Sequence, residues 1–435
     1  MIKNFTTFVS ENIKTGDLVI IEANGCQHHF GDGTGKRVTI RFTDNNILLA
    51  ILLKPELAAG EAFMDGRLLM VEGDIYDFLA LIFRNTYTLK TSRPIKLIRQ
   101  LINFTKRFNA NNKLGNAQKN IAYHYDLDQS FYRLFLDEDC QYSCAYFEYP
   151  GETLDAAQSA KKRHIAAKLL LKSNQHVLDI GSGWGGLGLY LARLSGVEVT
   201  GVTLSKEQYI SSNKEAERLN LAHHVRFFLK DYRLLDETFD RIVSVGMLEH
   251  VGIGSYEEYF AKVKSLLKPD GVMLLHAIGQ FDSPTYTNPW IQKYIFPGGY
   301  IPALSEVLPA IERHGLVVCD IEILRLHYAE TLRAWRERFL ARREEAVALY
   351  GERFARMWEF YLAASETAFR YQGLMVFQIQ LARDQTVVPL TRNYIAKNEE
   401  ALKTLENAKL FSVLTPEYSS AKSSDVDINS DIDIF

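Results

Sequence analysis

Cysteine is scarce in this chain: Cys26, Cys140, Cys144 and Cys319 are the only four in 435 residues. No two of them stand at C-x-x-C spacing, so neither a disulfide scaffold nor a zinc site is expected, and the usage fits a reducing cytoplasm. An excess of one charge is also lacking. Lys and Arg number 50 against 53 Asp and Glu, a formal charge of -3, which removes any global electrostatic argument for a nucleic-acid partner. Long apolar runs are missing too: nowhere do about eighteen apolar residues follow one another, and Met1-Ile-Lys-Asn-Phe-Thr-Thr-Phe has no signal-peptide core. The expectation is a protein that is soluble or at most peripheral to a membrane. No internal repeat is visible.

What is present centres on one stretch. The apolar run His176 to Ile180 breaks at Gly181-Ser182-Gly183-Trp184-Gly185-Gly186 and resumes at helical spacing from Leu187, which describes a strand, a tight turn and a helix packed back on the strand. Glycines let a backbone approach a ligand with no Cβ between, and the helix N-terminus beyond offers unpaired N–H groups. Gly181, Gly183 and Gly186 fit the dinucleotide pattern G-x-G-x-x-G, but the acid that would hold a ribose is absent from the end of Val199-Thr-Gly-Val-Thr203. Asp-x-Gly-x-Gly-x-Gly at Asp179, Gly181, Gly183 and Gly185 fits better. It resembles motif I of S-adenosylmethionine-dependent methyltransferases.

Along the chain, residues 17–53 read as short strands with Val38–Phe42 the clearest, followed by a turn-rich strip at 59–66, a strand at Leu68–Val71 and a helix opening at Glu72. From Arg84 to Lys119 there are nine bases and no acid. Inside this segment Pro94 starts a helix with Ile95, Leu97, Ile98, Leu101, Ile102, Phe104 and Phe108 on one side. It could lie on an anionic membrane, each base contributing about 1 kcal/mol, or dock on its own protein with a solvated basic face. Residues 109–120 are a linker candidate. An amphipathic helix from Leu154 to Leu171 precedes strands at 176–181, 198–203, 225–229, 239–246 and 271–278, separated by helices near 184–194, 206–219 and 255–267. Strands at Leu316–Leu324 and Leu374–Ala382, the last antiparallel, bring the sheet to seven. Helices at about 331–349 and 352–370 lie between them.

The fold class is therefore α/β: a doubly wound, mostly parallel seven-stranded sheet with a smaller amino-terminal mixed α/β domain. The expected domains are 1–115, with a lipid-binding or dimerising role; 116–386, catalytic; and 387–435, a helix and an acidic disordered tail. The aromatic, Pro- and Gly-rich insertion 281–302 follows the fifth strand, where a lid would emerge. His28-His29 and His223-His224 read as surface or turn residues, because no acid or Cys partner recurs at ligand spacing, and no metal site is expected.

Six motifs then occur in order: Gln-Tyr-Ser-Cys-Ala-Tyr at 141–146, Val-Leu-Asp-Ile-Gly-x-Gly-Trp-Gly-Gly at 177–186, Gly-Val-Thr-Leu-Ser-x-Glu-Gln at 201–208, Arg-Ile-Val-Ser-Val-Gly-Met-x-Glu-His-Val-Gly at 241–252, Leu-Leu-His-x-Ile-Gly at 274–279 and Tyr-Ile-Phe-Pro-Gly-Gly at 294–299. Together they resemble cyclopropane-fatty-acyl-phospholipid synthases and the related mycolic-acid cyclopropane synthases, over about Tyr123 to Ala382. The strips at 60–66 and 72–76 resemble the amino-terminal domain of bacterial members. The resemblance implies that Tyr142, Ser143, Asp179, Gly181, Gly183, Gly185, Thr203, Leu204, Ser205, Gln208, Asp231, Tyr232 and Val245 bind S-adenosylmethionine. It also implies a bicarbonate proton acceptor held by Cys144, Glu249, His276, the Ile278 backbone and Tyr328. Ser182 departs from the family, which usually has Cys there.

The implied reaction adds a methylene group across a cis double bond of an unsaturated phospholipid, at the cytoplasmic face of the inner membrane. An alkene is a poor nucleophile, so the step needs alignment and a dry pocket, and the cation it forms needs aromatic faces. Tyr146, Phe147, Tyr286 and Tyr328 are candidates, each worth roughly 0.5–2 kcal/mol. The same cation can lose a different proton, giving a methyl- or methylene-branched chain. A nucleic-acid methyltransferase, suggested by Asn288-Pro-Trp, and a non-catalytic lipid binder are rival classes. The amino-terminal domain could support a homodimer.

Overall fold

The computed structural model describes residues 2–87 and 127–414. Most of the basic segment, the linker at 109–120 and the tail from Thr415 lie outside the described residues, as does the expected 115/116 domain boundary.

Asp17–Ile21 (β1), Gln27–Phe30 (β2), Arg37–Phe42 (β3) and Leu68–Glu72 (β4) form a sheet in the order β2-β1-β3-β4. β1 runs antiparallel to β2 and parallel to β3, and β3 antiparallel to β4. Asn46–Leu53 and Pro55–Met64 are helices, where the sequence reading has the end of a strand region and a turn-rich strip. Asn46-Ile-Leu-Leu-Ala-Ile-Leu-Leu is a short apolar run without periodicity, which cannot distinguish a strand from a buried helix. Pro55 at the first helical position starts the second helix. Ile75–Tyr87 follows β4 as expected. His28 is not partnerless: its Nε2 lies 2.5 Å from the buried Glu22 carboxylate. Residues 22, 26 and 28 share one face of the β1–β2 hairpin, because side chains alternate along a strand.

The second sheet contains His176–Ile180 (β5), Glu198–Thr203 (β6), Val225–Leu229 (β7), Phe239–Val245 (β8), Leu267–Gln280 (β9), Val317–Ile323 (β10) and Leu374–Ala382 (β11), in the order β10-β11-β9-β8-β5-β6-β7. β5 to β9 pair parallel, and β11 is antiparallel to both its neighbours. From β5 the chain winds out to β6 and β7, then returns to add β8 and β9 on the other side. The carboxyl ends of β5 and β8 thus meet at the switch point, where such sheets bind ligands.

The Leu154–Leu169 helix departs from the amphipathic expectation: 13 of its 16 residues are buried, including Lys161, Lys162, Arg163, His164 and Lys168. Its outer side is covered by the Asn393–Leu414 helix. Glu406 pairs with Arg163, Glu399 with His164 at 2.6 Å, and Asn398 donates to the Ala167 carbonyl at 3.1 Å. The two charged helices expected between β10 and β11 are three, His327–Ala341, Arg343–Tyr350 and Glu352–Tyr371, with Gly351 at φ 84° making the last break.

The 281–302 insertion holds a short helix, Pro289–Tyr294, started by Asn288, whose side chain accepts from the Trp290 and Ile291 amides. That accounts for Asn288-Pro-Trp by helix capping. The insertion also docks on the amino-terminal domain. Glu61 accepts from Lys293 and Tyr294 at 2.6 and 2.8 Å, the Tyr286 hydroxyl reaches Glu56, and Trp290 donates to the Met64 sulfur at 3.3 Å. The segment, where a lid was expected, is tied to the amino-terminal domain by these contacts. No helix among the described residues is long and apolar enough to cross a membrane.

Candidate active site

At the end of β5, Gly181, Gly183 and Gly185 adopt φ of 81°, 55° and 87°, the left-handed region that L side chains avoid. The Gly181 and Ser182 amides both donate to the Val202 carbonyl on β6, at 2.9 and 3.0 Å. This folds the bend across the sheet's carboxyl edge. A Cβ on Gly181 would lie 2.8 Å from Met247, so the bend also needs glycine for space.

The bend is one wall of a cavity. Cys140 to Ser143 form a second wall, Val202 to Leu204 with Gln208 a third, Lys230 to Arg233 a fourth, and Val245 to Met247 with His250 close it. Of the residues assigned to the donor from sequence, Tyr142, Ser143, Asp179, Gly181, Gly183, Thr203, Leu204, Gln208, Asp231, Tyr232 and Val245 line this cavity. Gly185 and Ser205 do not. Gly185 caps the Gly186–Ser195 helix, and a Cβ there would meet Phe227 at 2.7 Å. Ser205 is buried and caps the Lys206–Arg218 helix by accepting from the Gln208 amide. Both shape the wall from behind.

The polar wall groups are set by short contacts. Thr203 Oγ1 donates to Gln208 Oε1 at 2.8 Å, and both Asp231 oxygens accept from Arg233. Asp179 is buried with its Oδ2 unpartnered, and Ser182 Oγ is likewise without a partner. Burial pushes the Asp179 carboxyl up to about 7, against the pull of the nearby Lys161 charge. Orphaned polar atoms on a cavity wall, beside a bend that needs glycine, fit a polar ligand at this edge.

Cys144, Glu249, His276, Ile278 and Tyr328 do not line this cavity, and the first three adjoin it. Cys144 follows Ser143 and Glu249 precedes His250, while the His276 carbonyl accepts from the Gly246 amide at 2.8 Å. The Ile278 amide donates to Glu249 Oε1 at 2.6 Å, and Glu249 Oε2 has no partner. Burial pushes the Glu249 carboxyl up to about 7. His276 is held by a relay. Buried Lys168 donates to Gln378 Oε1 at 2.8 Å, which turns the Gln378 amide nitrogen to His276 Nδ1 at 3.2 Å. Nδ1 is then the acceptor, and the ring proton sits on the unpartnered Nε2. Burial, then the Lys161 charge, lowers His276 to about 3, so the ring is a neutral donor at working pH. The Cys144 thiol is pushed well up by burial and donates to the Ala145 carbonyl at 3.3 Å.

Tyr328 stands edge-on to Phe369 and Trp335, with ring centroids 4.8 and 5.8 Å away, and Tyr142 stacks on Trp335 at 5.1 Å. The other aromatic candidates have different neighbours. Tyr146 is sandwiched between His164 at 4.2 Å and His327 at 4.9 Å, so both faces are taken, Phe147 leans on His327, and Tyr286 is turned to the amino-terminal domain. Sequence reasoning missed Gln378, Lys168 and Lys161. Their only signal is polarity inside segments that otherwise read as core.

A seven-stranded sheet in this order, with a glycine bend after its first strand and a cavity at the switch point, is the architecture of class I S-adenosylmethionine-dependent methyltransferases. Residues 112–379 match the family described as mycolic acid cyclopropane synthetase, and the chain belongs to that family. It is 45% identical over 260 residues to the cyclopropane-fatty-acyl-phospholipid synthase of Escherichia coli, covering 60% of this chain and 66% of that protein. A probable fatty acid methyltransferase of Pseudomonas putida is 36% identical over 360 residues, covering 81% of this chain and 89% of that one. A solved structure of mycolic acid cyclopropane synthase CmaA1 complexed with SAH and CTAB superposes with a TM-score of 0.58 at 34% identity, covering 61% of this chain and 97% of that one.

Proposed function

We propose that this chain transfers a one-carbon unit from S-adenosylmethionine to the cis double bond of an unsaturated phospholipid acyl chain, closing a cyclopropane ring. The donor would lie over Gly181 and Gly183, between Asp179, Ser143, Thr203, Gln208, Asp231 and Tyr232. A bicarbonate would be held by Cys144, Glu249, His276, the Ile278 amide and Tyr328. When bound, the first supplies an electrophilic sulfonium methyl and the second a proton acceptor. The observation that carries this reading is the pair of orphaned atoms Glu249 Oε2 and His276 Nε2, buried behind the glycine bend. Neutral His276 offers an N–H to an anion, and Glu249, protonated below about pH 7, offers an O–H.

The remaining residues keep the reaction dry and electron-rich. Trp335 and Phe369 crowd Tyr328, and Tyr142 stacks on Trp335, so a cation formed beside them would be stabilised where it meets a ring face and would meet little water. A second reading is a methyl-branched product, favoured by the high coverage of the probable fatty acid methyltransferase. Incubation with labelled S-adenosylmethionine and vesicles of unsaturated phospholipid tests both. Label in a chain that undergoes ring opening supports the first, label in a chain that does not supports the second, and unlabelled lipid refutes both. The basic stretch Arg84 to Lys119 is proposed to bring the enzyme to an anionic bilayer, with the amino-terminal domain available for pairing two copies.

A further inference from the structure

Lys161 is an unusual residue to bury in the middle of a helix. It sits in the middle of the Leu154–Leu169 helix, 1% exposed, and among the described residues no carboxylate oxygen comes within 4.0 Å of its Nζ. A buried ammonium with no carboxylate in contact costs several kcal/mol that a leucine or methionine would not, and burial lowers Lys161 to about 8 against the longer-range pull of Asp137. Its partners are two neutral oxygens, Gln141 Oε1 at 2.6 Å and Ser143 Oγ at 2.9 Å, and both residues line the cavity. One helical turn earlier, Gln158 donates to the backbone carbonyls of the same two residues, at 3.3 and 3.0 Å. Gln158, together with Asp137 at the Gln141 amide and Thr331 at the Ala145 amide, holds the loop's backbone, and Lys161 is the group that reaches its side-chain oxygens.

An ammonium has only protons to give. Ser143 Oγ must therefore accept from Lys161, and its own O–H has to turn elsewhere. With the lysine on one side and the cavity on the other, the hydroxyl becomes a donor facing the ligand, backed by a full positive charge in a region of low dielectric. Across the bend, Asp179 Oδ2 is an unpartnered buried carboxylate oxygen. The cavity wall thus presents an anion-seeking group and a cation-seeking group, as a zwitterionic amino-acid end requires.

We propose that Lys161 is a positioning residue for the methyl donor: by turning the Ser143 hydroxyl into the cavity it builds the subsite for the carboxylate at the amino-acid end of S-adenosylmethionine. This rests on the proposed use of the cavity for that donor. The charge also faces the neighbouring reaction centre, since Lys161 acts on both Cys144 and His276.

The test is calorimetric titration of wild type, Lys161→Met and Ser143→Ala with two ligands. S-adenosylhomocysteine carries the amino-acid end, and 5′-methylthioadenosine lacks it. Lys161→Met is expected to weaken S-adenosylhomocysteine roughly 10- to 50-fold, as loss of one charge-assisted hydrogen bond would, and to leave methylthioadenosine within about twofold. Ser143→Ala should show the same selectivity, and the double variant should lose no more than the larger single loss. Equal weakening of both ligands would mean that the loop has merely lost its staple, and no weakening would mean that the charge is idle. Either result overturns the inference. If Lys161→Met does not fold, Ser143→Ala carries the same ligand-selective expectation. A wild type that binds neither ligand would overturn the donor reading itself, and the inference with it.

Discussion

At the scale of single residues, the site is governed by what burial does to charge. Glu249 is the clearest case. Its carboxyl rises from 4.5 to about 7 because it is desolvated, so the folded state holds the proton more tightly than the unfolded chain. Stability from the protonated form is present below 4.5 and is lost as pH rises towards 7. Against Glu249→Gln, which cannot titrate, wild type should lose up to about 3 kcal/mol between about pH 5 and about pH 8. Urea midpoints of both proteins at the two pH values measure this, and a pH-independent difference would show that the carboxylate is solvated. Glu249→Ala and Cys144→Ala should each lower kcat by about 100-fold while donor affinity stays within about threefold. Wild-type turnover should also fall in bicarbonate-free buffer. Unchanged rates in both experiments would strip these residues of their assigned roles. Gln378→Met removes the acceptor's partner at His276 Nδ1, so nitrogen-resolved NMR should show the ring leaving the pure Nε2–H tautomer, with kcat down about tenfold. A ring that keeps its tautomer in the variant would refute the relay.

At the scale of elements, the decisive features are contacts between segments far apart in sequence. The Pro55–Met64 helix can approach the insertion because residue 60 is glycine: a Cβ there would lie 2.5 Å from Trp290 Nε1. Gly60→Ala improves helix propensity by about 1 kcal/mol, yet overpacking against the indole costs about 1–3 kcal/mol. A net loss is expected, with partial recovery when Trp290→Phe is added. Chemical denaturation of the single and double variants checks this, and a more stable Gly60→Ala would show that the two elements are not pressed together. The Asn393–Leu414 helix plays the matching part on the other side. Its Glu399 and Glu406 allow Arg163 and His164 to be buried, because they pair with them.

At the scale of the whole molecule, the chain sets the seven-stranded sheet beside the small mixed domain, and the 281–302 segment runs between them. It touches the site through the Tyr300 amide, which donates to the Glu249 carbonyl at 2.9 Å, and the other domain through Lys293 and Tyr294. Lipid delivery would add a third region, the basic stretch. Neutralising Lys96, Arg99, Lys106 and Arg107 should weaken pelleting with anionic vesicles, each base contributing about 1 kcal/mol, while activity on detergent-dispersed lipid survives. Equal loss in both assays would point to a damaged fold and not to a membrane contact.

The sequence by itself determined the parts whose cause is local. Strand, glycine bend and helix at 176–195 and the order of the sheet's strands along the chain follow from periodicity and turn chemistry, and the cavity-wall residues are named through the resemblance that the six motifs carry. The helices at 46–64 escaped because short apolar runs carry no period. Only the tertiary structure decided which polar groups are buried and which faces are free. Tyr146 is unusable as an aromatic face because His164 and His327 cover it, and Lys161 becomes informative only once the helix carrying it is enclosed. The reason is physical: a residue's period is written in its neighbours, but its burial and its proton affinity are set by side chains that reach it from elsewhere in the chain, Gln378 at His276 and Glu399 at His164 among them.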